Sequence, residues 1–157
     1  MDDPPPVARM LSALNIPHRQ FRHPGPVTSL KQAARERGQS PDQVVRSIVF
    51  RLAKDEYLMV LIGGERQVSW PALRRHLGQS RLTLASEAEV LAATGFQRGA
   101  VSPIGLPRPM RTLMDDSVMA QSEISIGSGE RGVTIILRAA DLQRALGDAE
   151  VGRFAET

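Results

Sequence analysis

The sequence predicts an α/β (α+β) fold: a mixed, curled, barrel-like β-sheet of about six or seven strands with helices packed outside it. Three observations predict this. Strand-like and helix-like segments interleave along the whole chain instead of segregating into halves. Several strands follow one another in hairpin order, as antiparallel pairing allows. The 157 residues, 41% of them hydrophobic, are the size of one domain with one continuous core. A single domain over 1–157 is therefore expected, with no internal repeat and no dividing linker.

Taken in order, residues 1–6 hold two aspartates and three consecutive prolines, a composition that cannot pack a helix interior, and a disordered tip is expected there. Val7, Met10, Leu11 and Leu14 share one helical face, and Pro17 marks the exit because the residue before a proline disfavours the α region. A strand over 18–22 follows. His23-Pro24-Gly25-Pro26 is a turn cluster, after which Thr28 or Ser29 can cap a helix over 30–37 that stops at Gly38. Residues 45–53 and 57–62 read as a hairpin around the polar tip Lys54-Asp55-Glu56. After Gly63-Gly64 and a brief strand near Val68, a helix over 70–77 turns Trp70, Leu73 and Leu77 inward and ends before Gly78. The single tryptophan is read as core.

Residues 82–85 form a short strand, and Ser86-Glu87-Ala88-Glu89 has capping-box spacing before a helix that closes at Gly95. Glycines and prolines exclude regular structure over 96–110, leaving a long loop with little freedom. Residues 111–115, 123–126 and 133–137 are strand-like, and 139–146 is a closing helix before Gly147.

Composition removes whole classes of chemistry. With no cysteine there are no disulfides, thiolate zinc sites, iron–sulfur clusters or cysteine nucleophile. The longest apolar run, 58–62, falls far short of the roughly 20 residues that cross a bilayer, and no charged-then-apolar leader opens the chain, so a soluble, cytoplasmic protein without membrane contact is expected. Twenty basic residues face seventeen acidic ones, and seven of the arginines lie over 66–114 against only Glu87 and Glu89. A cationic middle could steer a polyanion such as RNA; a solvated arginine-rich surface is the plainer alternative. Lys31 and Lys54 are the only lysines, so a mechanism that needs a lysine has two candidates.

Most motif readings weaken on inspection. Gly127-Ser128-Gly129-Glu130-Arg131-Gly132 has the glycine spacing of a dinucleotide fingerprint, but the following segment is a strand, whereas pyrophosphate needs a helix start. A glycine-rich strand connection near a ligand, working through backbone amides, fits better. His18, His23 and His76 lack paired ligand spacing and read as structural or exposed, so no metal site is expected. Asp115-Asp116 lie in an extended segment, where neighbours point to opposite faces, and read as a turn cap. What remains is the loop over 99–105. Glycine there lets a ligand approach the backbone, while Pro103 stiffens the following turn and favours preorganised donors.

Four segments in this order carry a resemblance: Thr28-Ser29 before a helix; Val44-Val45-Arg46-Ser47-Ile48-Val49-Phe50; the stretch from Thr94-Gly95-Phe96 to Gly105; and Gly127 to Gly132. Together, over residues about 18–146, they resemble the YbaK/EbsC-like family, the editing domains of bacterial prolyl-tRNA synthetases and their free-standing relatives. The Gly-x-x-x-Pro loop of that family matches Gly99 to Pro103. The resemblance implies a YbaK-like fold and a free-standing aminoacyl-tRNA deacylase. Such an enzyme hydrolyses the ester of a small amino acid, such as alanine or cysteine, on a tRNA such as that for proline. The Gly99 backbone would position the carbonyl and its developing oxyanion, with attack assisted by a substrate hydroxyl or a bound water and with no metal or cofactor. Thr28, Ser29, Ser102, Pro103, Gly127, Ser128 and Gly129 would line the substrate. The implied partners are the tRNA acceptor end and, transiently, a synthetase; the oligomeric state stays open.

The family carries a lysine where this chain has Arg46. A guanidinium stays protonated and cannot act as a base, yet its fork can bind phosphate or the terminal adenosine. The alternative function is accordingly a non-catalytic module that binds tRNA ends or aminoacyl-nucleotides, and the plainest role for Arg46 is a strand arginine with its head in solvent.

Overall fold

The computed structural model describes residues 3–157. The chain runs α1 (Pro6–Ala13), β1 (Arg19–Arg22), α2 (Leu30–Arg37), a 3-10 turn (Pro41–Gln43), β2 (Val45–Ala53), β3 (Glu56–Gly63), α3 (Trp70–Leu77) and β4 (Thr83–Leu84). It continues through α4 (Glu87–Thr94), β5 (Arg111–Asp115), α5 (Asp116–Met119), β6 (Glu123–Gly127), β7 (Val133–Arg138), α6 (Ala139–Leu146) and β8 (Glu150–Gly152). The expected mixed α+β architecture is present, as eight strands in two sheets. One sheet has the order β1-β7-β6 and the other β4-β2-β3-β5-β8. Pairing is antiparallel except that β5 runs parallel to both β3 and β8. A lone parallel bridge between Val44 and Ser125 joins the sheets at a seam.

Local chemistry sets the element ends. Ser29, Ser69 and Ser86 cap α2, α3 and α4 through side-chain oxygens that accept from the third residue on, and Gly38, Gly78 and Gly95 close the same helices in the left-handed conformation. At the β2–β3 tip Asp55 adopts φ 57°, a conformation that a short polar side chain tolerates. The hairpin holds register from Val45 opposite Gly63 to Arg51 opposite Tyr57 and shifts between Arg51 and Ala53, next to the tip.

The five-stranded sheet is buried on both faces, which explains the unbroken apolar run of β3. Met59 and Leu61 point toward the three-stranded sheet, meeting Leu11 of α1, Ile126, Ile135 and Leu142 of α6. Leu58, Val60 and Ile62 point the other way, onto Leu73 of α3 and Phe154. Leu73 is fully buried while Trp70 and Leu77 are half-buried, and Trp70 packs edge-on against Phe50 at 5.0 Å.

The sequence reading and the structure differ at several places, among them the brief strand expected near Val68, which is a single bridge to Ala155. Residues 1–2 of the expected disordered tip lie outside the described residues; of the rest, Pro5 is buried and Pro6 opens α1, whose Val7 N–H donates to Ser128 O at 3.1 Å. Short β8 and α5 went unread because three or four residues carry no period. The turn cap at Asp115 is present and does more than expected. It accepts from Ser117 N at 3.0 Å, Phe154 N at 2.8 Å and Ala155 N at 3.0 Å, fastening the C-terminal segment to β5. Among the described residues no helix is long and apolar enough to cross a membrane.

Candidate functional site

The seam between the sheets opens into a cleft of about 640 Å³. It exists because β2 is covered only at its ends. On that side β4 pairs with Phe50 and Arg51, Ala85 N donates to Val49 O at 3.0 Å, and at the other end β6 is bridged to the chain at Val44. The stretch between presents a free strand edge. The opposite wall is the loop over 98–101, and Leu84, Ala85 and Val90 close the third side. The floor is apolar, made by Val45, Val49, Val101 and Ile126.

Strand alternation decides which β2 side chains reach this floor. Val45 and Val49 belong to the core between the sheets and Ile48 and Phe50 to the opposite core, so Ser47 shares the cleft face. Its Oγ is buried and has no hydrogen-bond partner among the described residues. Arg46 leaves on the other face. Its Nε donates to Gly64 O at 2.8 Å and its Nη2 to Arg66 O, clamping the turn after β3. Burial holds its pKa below the ordinary arginine value.

Of the residues that the sequence singled out, the cleft gathers Gly99, Gly127 and the strand position of Arg46. Gly99 has φ 88°, and a Cβ there would meet only Arg131 Nε, at 3.9 Å, so its backbone is open to a ligand. Its N–H donates to no backbone carbonyl among the described residues. Gly127 is obligatory for a different reason, since a Cβ would overlap the Val101 carbonyl oxygen. The other six residues do not line the cleft. Ser29 caps α2 by accepting from Gln32 N, and Thr28 donates to Gln32 Oε1 at 2.7 Å. Ser102 and Pro103 are buried behind the loop, where Ser102 Oγ accepts from Ile104 N at 3.1 Å. Ser128 is buried, its Oγ lying 2.7 Å from Val133 O and accepting from Glu130 N at 3.1 Å. Gly129 donates to Ala100 O at 3.0 Å, so it holds the cleft loop from behind.

Two cleft residues escaped the sequence reading. Ser47 enters it only as part of the 44–50 segment, with no role given to it. Arg37 enters only as the last residue of the helix over 30–37, and the structure turns it into the cleft wall. Its Nε donates to His23 Nε2 at 3.0 Å and its Nη1 to Ser125 Oγ at 2.9 Å. His23, read as structural or exposed, is buried, with Nδ1 2.6 Å from Glu36 Oε1. Burial lowers the Arg37 pKa to about 10. Hydrogen bonds from Gln32 and then His23 hold the Glu36 carboxyl below its ordinary value. The rim adds an exposed pair, Arg98 to Glu87 at 2.8 Å. Among the described residues no three His, Asp or Glu side chains converge as a metal site.

Comparison with known proteins places this architecture. Regions of three proline–tRNA ligases are similar to the chain: that of Brachyspira hyodysenteriae is 30% identical over 91 residues, that of Kosmotoga olearia 29% over 93, and that of Desulfotalea psychrophila 32% over 92. These matches take in 58–59% of the chain and 16% of each ligase, so the chain spans a small part of those relatives' length. Among solved structures, "Crystal structure of hypothetical protein APE2540" superposes with TM-score 0.86 at 22% identity, over 96% of this chain and 99% of that one. "Crystal structure of a putative trans-editing enzyme for prolyl tRNA synthetase" superposes with TM-score 0.85 at 24% identity, over 99% and 100%. At such identities these likenesses carry the fold alone. The model of the aminoacyl-tRNA editing domain matches residues 24–145, which include the strand edge, the loop and the floor of the cleft, and the chain belongs to that family.

Proposed function

We propose that the cleft receives the acylated 3′ end of a tRNA and hydrolyses the ester between a small amino acid and the terminal ribose. One observation carries this reading. In a chain of the editing-domain family, one cleft combines an apolar floor, the open backbone of Gly99 and an unpartnered Ser47 hydroxyl. The Gly99 backbone directs a donor at the ester carbonyl, where charge develops as the tetrahedral intermediate forms, and its stiff loop spares the cost of reorganising that donor. Water supplies the attacking oxygen, with a neighbouring ribose hydroxyl helping to orient and activate it; the carbonyl carbon–ribose oxygen bond breaks, and the ribose oxygen takes up the proton that the water gives up. No metal or cofactor takes part.

Ser47 gives a hydrogen bond to the aminoacyl-ribose end, because its hydroxyl already lies buried in the cleft without a partner. Arg46 is a positioning residue. Its two bonds to Gly64 and Arg66 hold the β2 edge in place, and as a guanidinium it does not move a proton. Gly127 and Gly129 support the loop from below, while Thr28, Ser29, Ser102, Pro103 and Ser128 stiffen the elements around it.

Similarity to proline–tRNA ligases supports the tRNA for proline as the carrier and a transient synthetase contact. Selection among small amino acids rests on cleft volume, where one methylene is worth only about 1–3 kcal/mol, so neighbouring amino acids are separated partially. One observation favours the competing reading, a binder without turnover: the family lysine is replaced by Arg46, which is engaged with two carbonyls. A panel of tRNAs charged with alanine, cysteine, serine and proline, incubated with the protein and chelator, decides between them. The proposal expects release of one or two small amino acids with prolyl-tRNA spared. A flat panel alongside measurable tRNA binding would establish the binder instead.

A further inference from the structure

Arg37 is a cation of the cleft wall that the proposed ester chemistry does not use, and unlike Arg98 at the rim it has no carboxylate within ion-pair distance among the described residues. It projects from the end of α2 across the seam to β6, where its Nη1 donates to Ser125 Oγ, while its Nε donates to His23 Nε2. Because a guanidinium can only donate, His23 Nε2 must accept, and the ring proton therefore sits on Nδ1 and goes to Glu36 Oε1 at 2.6 Å. Glu36 is itself fixed by Gln32 Nε2 at 2.8 Å. A chain of oriented groups thus holds the guanidinium in one place.

The charge balance is unusual. Both direct partners of Arg37 are neutral, and among the described residues no carboxylate lies within ion-pair distance of it. Glu36 acts on it only across the imidazole. A guanidinium has five N–H donors, of which two are engaged here. The remainder belong to a side chain that lines the cleft, where a partly desolvated fork with neutral neighbours favours a bidentate anion. The cleft, about 640 Å³, is also far larger than a small amino acid requires, leaving room for a nucleoside and the phosphate that follows it.

We infer that Arg37, oriented by His23 and Glu36, binds the phosphodiester next to the acylated nucleoside and so sets how deeply the tRNA end enters the cleft. This inference rests on the editing reading above. It assigns Arg37 to substrate binding, with His23 and Glu36 as positioning residues.

Two non-hydrolysable probes test it: a 3′-aminoacylamido oligonucleotide ending in CCA, and the matching aminoacylamido-adenosine without phosphate. Binding is measured across a salt series for the wild-type chain, Arg37→Met and Arg37→Lys. For the oligonucleotide, Arg37→Met should lose about tenfold in affinity, and its log-affinity slope against log salt should become shallower by about 0.7, one phosphate contact on a single strand. Arg37→Lys, which keeps the charge without the fork, should lose less and keep the slope. Affinity for the adenosine probe should stay as in wild type for both variants. Equal losses on the two probes would show that Arg37 is structural and overturn the inference, as would a Met variant with unchanged affinity and slope. If the wild-type chain binds neither probe, the editing reading falls and takes this inference with it.

Discussion

Ser47 shows how a single side chain separates stability from function. A buried hydroxyl without a protein partner costs free energy in the folded state, and a ligand group that reaches it relieves that cost. Ser47→Ala should therefore leave the protein as stable as wild type or up to about 1 kcal/mol more stable, while amino acid release slows about tenfold, the value of one hydrogen bond. Thermal melts and single-turnover release on the same samples check both halves. A variant that melts earlier and hydrolyses normally would remove Ser47 from the site. At this scale the sequence was only half legible. Gly99 could be read because a glycine four residues before a proline is a local signal. Arg37 could not, since nothing local distinguishes a helix-ending arginine in solvent from one that crosses a seam to a serine 88 positions away.

The strand faces carry the most information at the level of elements. The strand over 45–53 was legible in the sequence, but its faces were not, and it is the assignment of Val49 and Phe50 to opposite cores that separates Ser47 from Arg46. Helix caps were equally legible at Ser29 and Ser86 and at the closing glycines, which act within one turn, while the cap at Ser69 went unread. Strand β8 was not, since its place depends on long-range partners. Glu150 on β8 receives Arg111 Nε at 2.7 Å and Nη2 at 3.0 Å, with His76 Nε2 at 3.1 Å. Hydrogen bonding from Arg111 first, and His76 after it, lowers the Glu150 pKa from 4.5 to about 2. A carboxyl depressed in the folded state stabilises above its unfolded value and loses that contribution as pH falls through the folded one. The gap in urea midpoint between wild type and Glu150→Gln should thus be fully present above pH 4.5 and close as pH falls toward 2. Salt should shrink it, because the groups are exposed. Parallel pH profiles would contradict this coupling of β8 to β5.

For the molecule as a whole, the proposed site lies in what the sheets leave uncovered. The mixed strand architecture expected from the sequence is present as two sheets that meet at Val44 and Ser125, and the cleft opens beside that bridge. Sequence could announce the strands and the stiff loop, but the distance between them depends on how β2, β6 and the loop over 98–101 pack together. Gly127 is the contact that sets that distance, with the Val101 carbonyl lying against its α-carbon.

The central claim is that this cleft cuts the ester rather than only holding it, and single-turnover release of alanine from alanyl-tRNA for proline, over rising protein concentration with chelator present, tests it most directly. The account predicts a release rate that climbs and saturates well above the spontaneous rate of ester hydrolysis. Saturable binding with release at the spontaneous rate at every concentration would contradict it.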